Sequence, residues 1–274
     1  MTRFAPIRRP IGLAVVLVAT IATACGDGIT LPGAAAGYYR LVSVNGQPLP
    51  YLSPPSLGLV YHVTRGDLVL RRNRTFRHGL GGNIRFGHVV DGTYSLSDGE
   101  LVLSEGPLGG SITGQVAGDS LTLTYFGPAD NDMRFTYRRT QLTPTTLPSN
   151  RYRLLSINGR TGDPIVAYDT TIGDHRSVIY VDYDSLELSD GIFFRRHRSE
   201  AAIGYTNGQA TTFSYSQWTM WGAYESAPGW VRLFHYSPPP SIPVRDSLAI
   251  AGDTLVRRTP LITGIQEDRY VRPR

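Results

Sequence analysis

The run Tyr39-Arg40-Leu41-Val42-Ser43-Val44-Asn45-Gly46 returns as Tyr152-Arg153-Leu154-Leu155-Ser156-Ile157-Asn158-Gly159, with six of the eight positions identical. Further matches follow in the same order. Leu68, Leu70 and Phe76 align with Leu186, Leu188 and Phe194, then Gly92-Thr93-Tyr94, Gly99 and Leu103 with Gly222-Ala223-Tyr224, Gly229 and Leu233. Val116-Ala117-Gly118-Asp119-Ser120-Leu121 aligns with Ile250-Ala251-Gly252-Asp253-Thr254-Leu255, and Tyr137 and Arg139 with Tyr270 and Arg272. Ordered self-similarity of this kind means that one folding unit is present twice. The copies span residues 37–141 and 150–274, each the size of a small domain, and the Pro-containing segment 142–149 joins them as a stiffened linker. The second copy is longer through insertions near residues 160–175 and 200–220.

Within each copy the apolar period is two. Leu121, Leu123 and Tyr125 alternate with threonines, Leu186 and Leu188 flank Glu187, and Ile179, Val181 and Tyr183 alternate with Tyr180, Asp182 and Asp184. Between such runs stand Asn45-Gly46, Asp91-Gly92, Asp98-Gly99, Gly118-Asp119, Asn158-Gly159, Asp190-Gly191, Asn207-Gly208 and Gly252-Asp253, pairs that supply positive φ at tight turns. The 30 Gly, 19 Pro and 16 Tyr fit short strands and close turns, and no amphipathic helix is evident after the N-terminal segment. The expected fold is all-β: two tandem small antiparallel meander barrels, since closure removes exposed edges, with β-sandwiches as the alternative.

The N-terminus reads as an export signal, residues 1–24, with Arg3, Arg8 and Arg9 ahead of an apolar run at 11–24 that is short for a membrane span. Ala22-Thr23-Ala24-Cys25 resembles the lipobox of bacterial lipoproteins, which implies acylation of Cys25 after cleavage. Residues 25–36 would then be a flexible, lipid-anchored tether, since acyl chains contribute about 0.8 kcal/mol per buried methylene. Cys25 is the only cysteine, so no internal disulfide is possible. Every one of the 27 basic residues is arginine, which excludes Schiff-base lysines and the Walker lysine. Loss of Arg3, Arg8 and Arg9 with the signal lowers the formal charge from +5 to +2, which gives no argument for a nucleic-acid partner.

The opening residues 37–46, followed by Leu68-Val69-Leu70, Thr75-Phe76 and Gly92-Thr93-Tyr94, resemble the lipocalin-like domains of bacterial lipoproteins in the calycin group. That group carries Gly-x-Trp on its first strand, and here Tyr39 and Tyr152 stand at the Trp position. The resemblance implies up-and-down barrels and an apolar ligand, and carries over no functional residue.

Few residues read as chemistry. Asp182 and Asp184 share a strand face and could chelate a cation or form an acid/base pair, but the alternation with Ile179, Val181 and Tyr183 turns them to water. Asp174-His175-Arg176 lacks a second ligand motif, and Arg195-Arg196-His197-Arg198 reads as a solvated strand end or an anion contact. His62, His78, His88 and His235 are scattered, and the glycine runs at 79–82 and 106–110 read as loops. There is no Gly-x-Ser-x-Gly elbow, no metal motif and no cofactor motif. The aromatic set Phe213, Tyr215, Trp218, Trp221 and Trp230 is the candidate ligand-binding surface if one of its faces lines a lumen, and core packing otherwise.

The expectation is a non-enzymatic protein of the bacterial cell envelope. It would be extracytoplasmic and lipid-anchored, with the outer membrane the expected site, and would hold a small apolar ligand or lipid in a barrel. The alternative is a structural or interaction module that meets another protein or a glycan through its surface.

Overall fold

The computed structural model describes residues 32–53, 61–82, 89–106, 109–125, 132–141, 151–236, 245–261 and 264–273; Cys25 and the expected signal segment lie outside them. The first copy contains β1 (Gly37–Val44), β2 (Gln47–Pro48), β3 (Tyr51–Leu52), β4 (His62–Leu70), β5 (Thr75–Gly82), β6 (Val89–Ser97), β7 (Glu100–Ser104), β8 (Ser111–Ala117), β9 (Ser120–Tyr125) and β10 (Met133–Arg139). Successive strands pair antiparallel, and β1 joins both β10 and β4, so eight strands close into a ring. The second copy contains β11 (Arg151–Ile157), β12 (Ile165–Ile172), β13 (His175–Ser189), β14 (Phe193–Thr206), β15 (Gln209–Ala227), β16 (Trp230–His235), β17 (Arg245–Ala251), β18 (Thr254–Leu261) and β19 (Gly264–Val271). It closes in the same way, β11 pairing with both β19 and β13. The protein is therefore two tandem up-and-down barrels, not sandwiches.

The repeated residues are those that closure needs. Asn45 and Asn158 both sit at φ 50°, each followed by a glycine of positive φ. The Asn45 amide donates to the Arg134 carbonyl at 2.7 Å, and its side-chain oxygen accepts the Arg134 amide at 2.8 Å. Asn158 clasps Glu267 identically, at 2.7 Å both ways, so each Asn-Gly turn pins the first strand of its barrel to the last. A bulge precedes the turn at the same place in both, between Leu41 and Ser43 and between Leu154 and Ser156, which extrudes Val42 and Leu155 and tightens the local twist. Phe76 lies across Gly92 of the adjacent strand, as Phe194 lies across Gly222, and a side chain at either glycine would collide with the ring.

Each barrel has its own core. The first is built on Tyr39, Leu68, Leu70, Phe76, Leu101, Leu103, Leu121, Leu123, Phe135 and Tyr137, the second on Tyr152, Leu186, Leu188, Phe194, Tyr224, Val231, Leu233, Leu248 and Leu255. The turn Pro32–Ala35, at the end of the segment read as a tether, belongs to the first: Ala35 is buried in that core and its carbonyl accepts the Tyr39 hydroxyl at 2.8 Å.

A third, smaller apolar cluster lies between the barrels, where Tyr38 meets Ile192, Phe193, Ala223 and Tyr236. Its centre is Asp67, fully buried on the outer face of β4. Asp67 accepts hydrogen bonds from the hydroxyls of Tyr38 and, at 2.9 Å, Tyr236, and from Arg65 Nε at 2.7 Å. Burial alone would raise its pKa, but the Arg65 charge and the donated hydrogen bonds outweigh burial and hold it below the usual carboxylate value. Around this point Arg40 and Arg65 reach Glu225 at 3.0 and 3.3 Å, and Arg71 and Arg77 reach Asp190 at 2.8 and 3.0 Å. The run Gly79-Leu80-Gly81-Gly82 is not a loop but the end of β5, with Leu80 in the core and Gly79 and Gly81 outside. Those two glycines leave a flat seat for the Tyr236 ring, which a Cβ at Gly79 would strike 2.7 Å from Cζ.

Candidate functional site

The insertions of the second copy lengthen β13, β14 and β15 well beyond their counterparts in the first, to 15, 14 and 19 residues. The extra lengths stand above the barrel rim as a four-stranded antiparallel sheet, in the order β12-β13-β14-β15. The register gives its two faces. Tyr180, Ala201 and Tyr215 lie side by side, as do Val178, Ile203 and Phe213, on the face that continues the outside of the barrel. Ile179, Ala202 and Ser214 lie on the face that continues the lumen wall. Phe213 is 69% exposed and Tyr215 56%, an uncommon arrangement for adjacent aromatics on one sheet face unless something covers them.

Below this sheet the second lumen changes character from apolar to charged. Asp184 is fully buried and receives Arg196 Nη2 at 2.6 Å, Arg198 Nη1 at 3.4 Å and the Tyr270 hydroxyl at 3.2 Å. Arg257 ties Asp246 to Asp268, which it meets at 3.5 Å, and the Arg196 guanidinium lies 5.3 Å from the Trp218 ring. Burial works against the Arg196 charge, but Asp184 overcompensates and raises its pKa. His235, 3% exposed, has no hydrogen-bond partner on either ring nitrogen; it packs edge-on against Phe194, and burial pushes its pKa down to about 4. In the first lumen His78 occupies the position of Arg196 and bonds Tyr137 at 2.8 Å and Tyr125 at 3.0 Å, and burial likewise lowers its pKa to about 4. Clefts open to the surface beside β8 and β9, between the barrels and on the projecting sheet, and apolar side chains of each barrel pack into its own core.

Two expectations are overturned here. Asp184 does not face water: a bulge between Val181 and Tyr183 shifts the alternation by one, so that Asp182 stays exposed while Asp184 turns inward with Leu186 and Leu188. The Arg195–Arg198 run is not a solvated end either; Arg196 and Arg198 point into the lumen, and Arg195 and His197 point out.

The aromatic candidates are distributed over three places. Phe213 and Tyr215 are on the projecting sheet, with the Tyr215 hydroxyl 2.8 Å from Ser199 Oγ. Trp218 lies on the lumen face, next to Arg196. Trp221 packs against the inter-barrel cluster, and Trp230 lines a cleft of about 290 Å³ between the barrels with Tyr38, Arg40 and Glu225. His175 and Asp174 are exposed at the tip of the projecting sheet. No group of three or more metal-ligating side chains occurs among the described residues. The charged side chains described in the second lumen are bound to one another.

No protein-family model and no curated protein matches this chain. Among solved structures it is similar to the isotype 1 transferrin binding protein B from serogroup B Neisseria meningitidis, at 8% sequence identity and a TM-score of 0.20. That match covers 76% of this chain, which spans 65% of the other's length.

Proposed function

We propose that this chain is a non-enzymatic binding protein of the bacterial cell envelope, held to a membrane by a lipid on Cys25, that engages another protein through the outer face of its projecting sheet. The observation that carries this reading is the exposed Phe213–Tyr215 pair on a sheet that, among the described residues, only the second copy possesses. The described strands of the first copy close into a barrel without such a sheet, so closure does not require it. Large apolar groups kept in water gain nothing unless a partner removes them, at about 25 cal/mol per Å².

The other reading, an apolar ligand inside a barrel, is disfavoured by the contents of the lumens. A greasy molecule in the second barrel would have to displace the ion pairs of Asp184, Asp246 and Asp268, leaving buried charges unpaired. The test is co-purification from native envelopes. The account expects a bound envelope protein that is lost from the Phe213→Ser/Tyr215→Ser variant, and incorporation of labelled fatty acid that is lost from Cys25→Ser. Retention of the same partner by the double variant would refute the surface, and an unlabelled wild type the anchor.

A further inference from the structure

Among the described residues barrel closure leaves free edges at the two-residue strands β2 and β3 of the first copy and, over longer runs, at β12 and β15 of the projecting sheet, and these last two are treated differently. The β12 edge is interrupted by a bulge between Val166 and Tyr168 and carries Asp169, ion-paired to Arg176 at 2.7 Å, which are the usual devices against strand addition. The β15 edge has neither over residues 212–217. It pairs with β14 in unbroken register from Thr212 to Trp221, no described strand covers its other side before β16 joins at Gly222, and all six side chains are exposed. From Ala201 to Gln217 there is no charged residue and no proline, in a chain that is 18% charged overall. A regular, uncharged, exposed edge of this kind is a template for another strand.

The sequence of the edge names its occupant. Thr212-Phe213-Ser214-Tyr215-Ser216 is palindromic in kind, hydroxyl-aromatic-hydroxyl-aromatic-hydroxyl. We propose that two copies of this chain pair antiparallel through this edge, about a two-fold axis at Ser214. In that register Phe213 of each copy faces Tyr215 of the other on the outer face. Thr212 faces Ser216, and the two Ser214 residues face each other, on the inner one. Aromatic and hydroxyl cross-strand pairs are the favourable kinds, and no like charges are opposed. The contact uses the same patch on both copies, so it closes as a dimer instead of growing into a fibre. It joins the two projecting sheets into one of eight strands that presents a doubled aromatic face.

The register is tested by cysteine placement in the purified full chain. Under mild oxidation Ser214→Cys gives a disulfide-linked dimer, because the two thiols are directly opposed. Thr212→Cys, whose thiols sit on opposite sides of the axis, does not, and Cys25 is present equally in both. In sedimentation the wild type is dimeric and Ser214→Lys weakens association at least tenfold, with an unchanged melting temperature at dilutions where both are monomeric. A wild type that stays monomeric at every concentration, a Ser214→Cys variant no faster to cross-link than Thr212→Cys, or an undiminished Ser214→Lys dimer would overturn the proposal. A strand from a different protein on this edge would give the first of these results. Ser214→Lys leaves Phe213 and Tyr215 in place, so co-purification of the envelope protein with this variant reads the proposed function apart from the dimer: a retained partner leaves that function standing when the dimer fails, and a dimeric wild type with no partner leaves the dimer standing when that function fails.

Discussion

Gly79→Ala adds a single methyl group at the point where the barrels meet. Its Cβ would lie 2.7 Å from Tyr236 Cζ and 2.9 Å from the hydroxyl, so the ring must leave its seat or the barrels must separate. Displacement breaks the 2.9 Å hydrogen bond from Tyr236 to the Asp67 carboxylate, and a hydrogen bond to a charged group contributes about 1.5–3 kcal/mol. It also uncovers part of a fully buried tyrosine; if about half of a ~200 Å² side chain returns to water, ~2.5 kcal/mol is lost at 25 cal/mol per Å². The expected cost is therefore about 4–5.5 kcal/mol, localised to the junction because both barrel cores are untouched. Calorimetry reads it as a split of the melting curve into two transitions. The decisive comparison is a double-mutant cycle. Once Tyr236→Ala has removed the ring, Gly79→Ala has room, and it becomes neutral or stabilising by about 0.4–1 kcal/mol through the unfolded chain. Equal destabilisation in both backgrounds would refute the role assigned to this glycine.

In the second lumen, Arg196→Met leaves the buried Asp184 carboxylate with only Arg198 and Tyr270, and the expected loss in urea unfolding is about 3–5 kcal/mol; adding Asp184→Leu recovers most of it. Stability also depends on pH through His78 and His235. Both have folded-state values near 4 against about 6.5 when unfolded, so the unfolded chain binds more protons below 6.5. Their contribution is complete above about pH 6.5 and is lost as the pH falls toward 4, by an order of 3 kcal/mol for each. Denaturation midpoints across that window should fall with acid in the wild type and fall less in His78→Phe and His235→Phe.

Much of the architecture is legible in the residues. The repeated Asn-Gly turns and the period of two mark short antiparallel strands in both copies and favour barrels over sandwiches, whereas closure itself is seen only in the pairing of β1 with β4 and of β11 with β13. The parity of β13 is harder, although its signal is present. Asp184 shares parity with Leu186 and Leu188, whereas Ile179, Val181 and Tyr183 have the opposite parity, and both sets cannot face one core on an uninterrupted strand. That conflict marks the bulge, and the repeat alignment already places Asp184 and Arg196 at the interior positions held by Gly66 and His78. The junction has no such signal. Gly79, Gly81 and Tyr236 gain their meaning only from the opposite barrel, and hydrophobic alternation does not distinguish an outer face that meets water from one that meets a second domain.

The claim on which the functional account turns is that the projecting sheet, not either lumen, is the working surface. A photoreactive phenylalanine analogue at position 213, irradiated in intact cells, tests it most directly. The account predicts covalent adducts at that position, to an envelope protein or to a second copy of the chain. Absence of any adduct, together with release of an apolar compound when the purified protein is extracted with solvent, would contradict it.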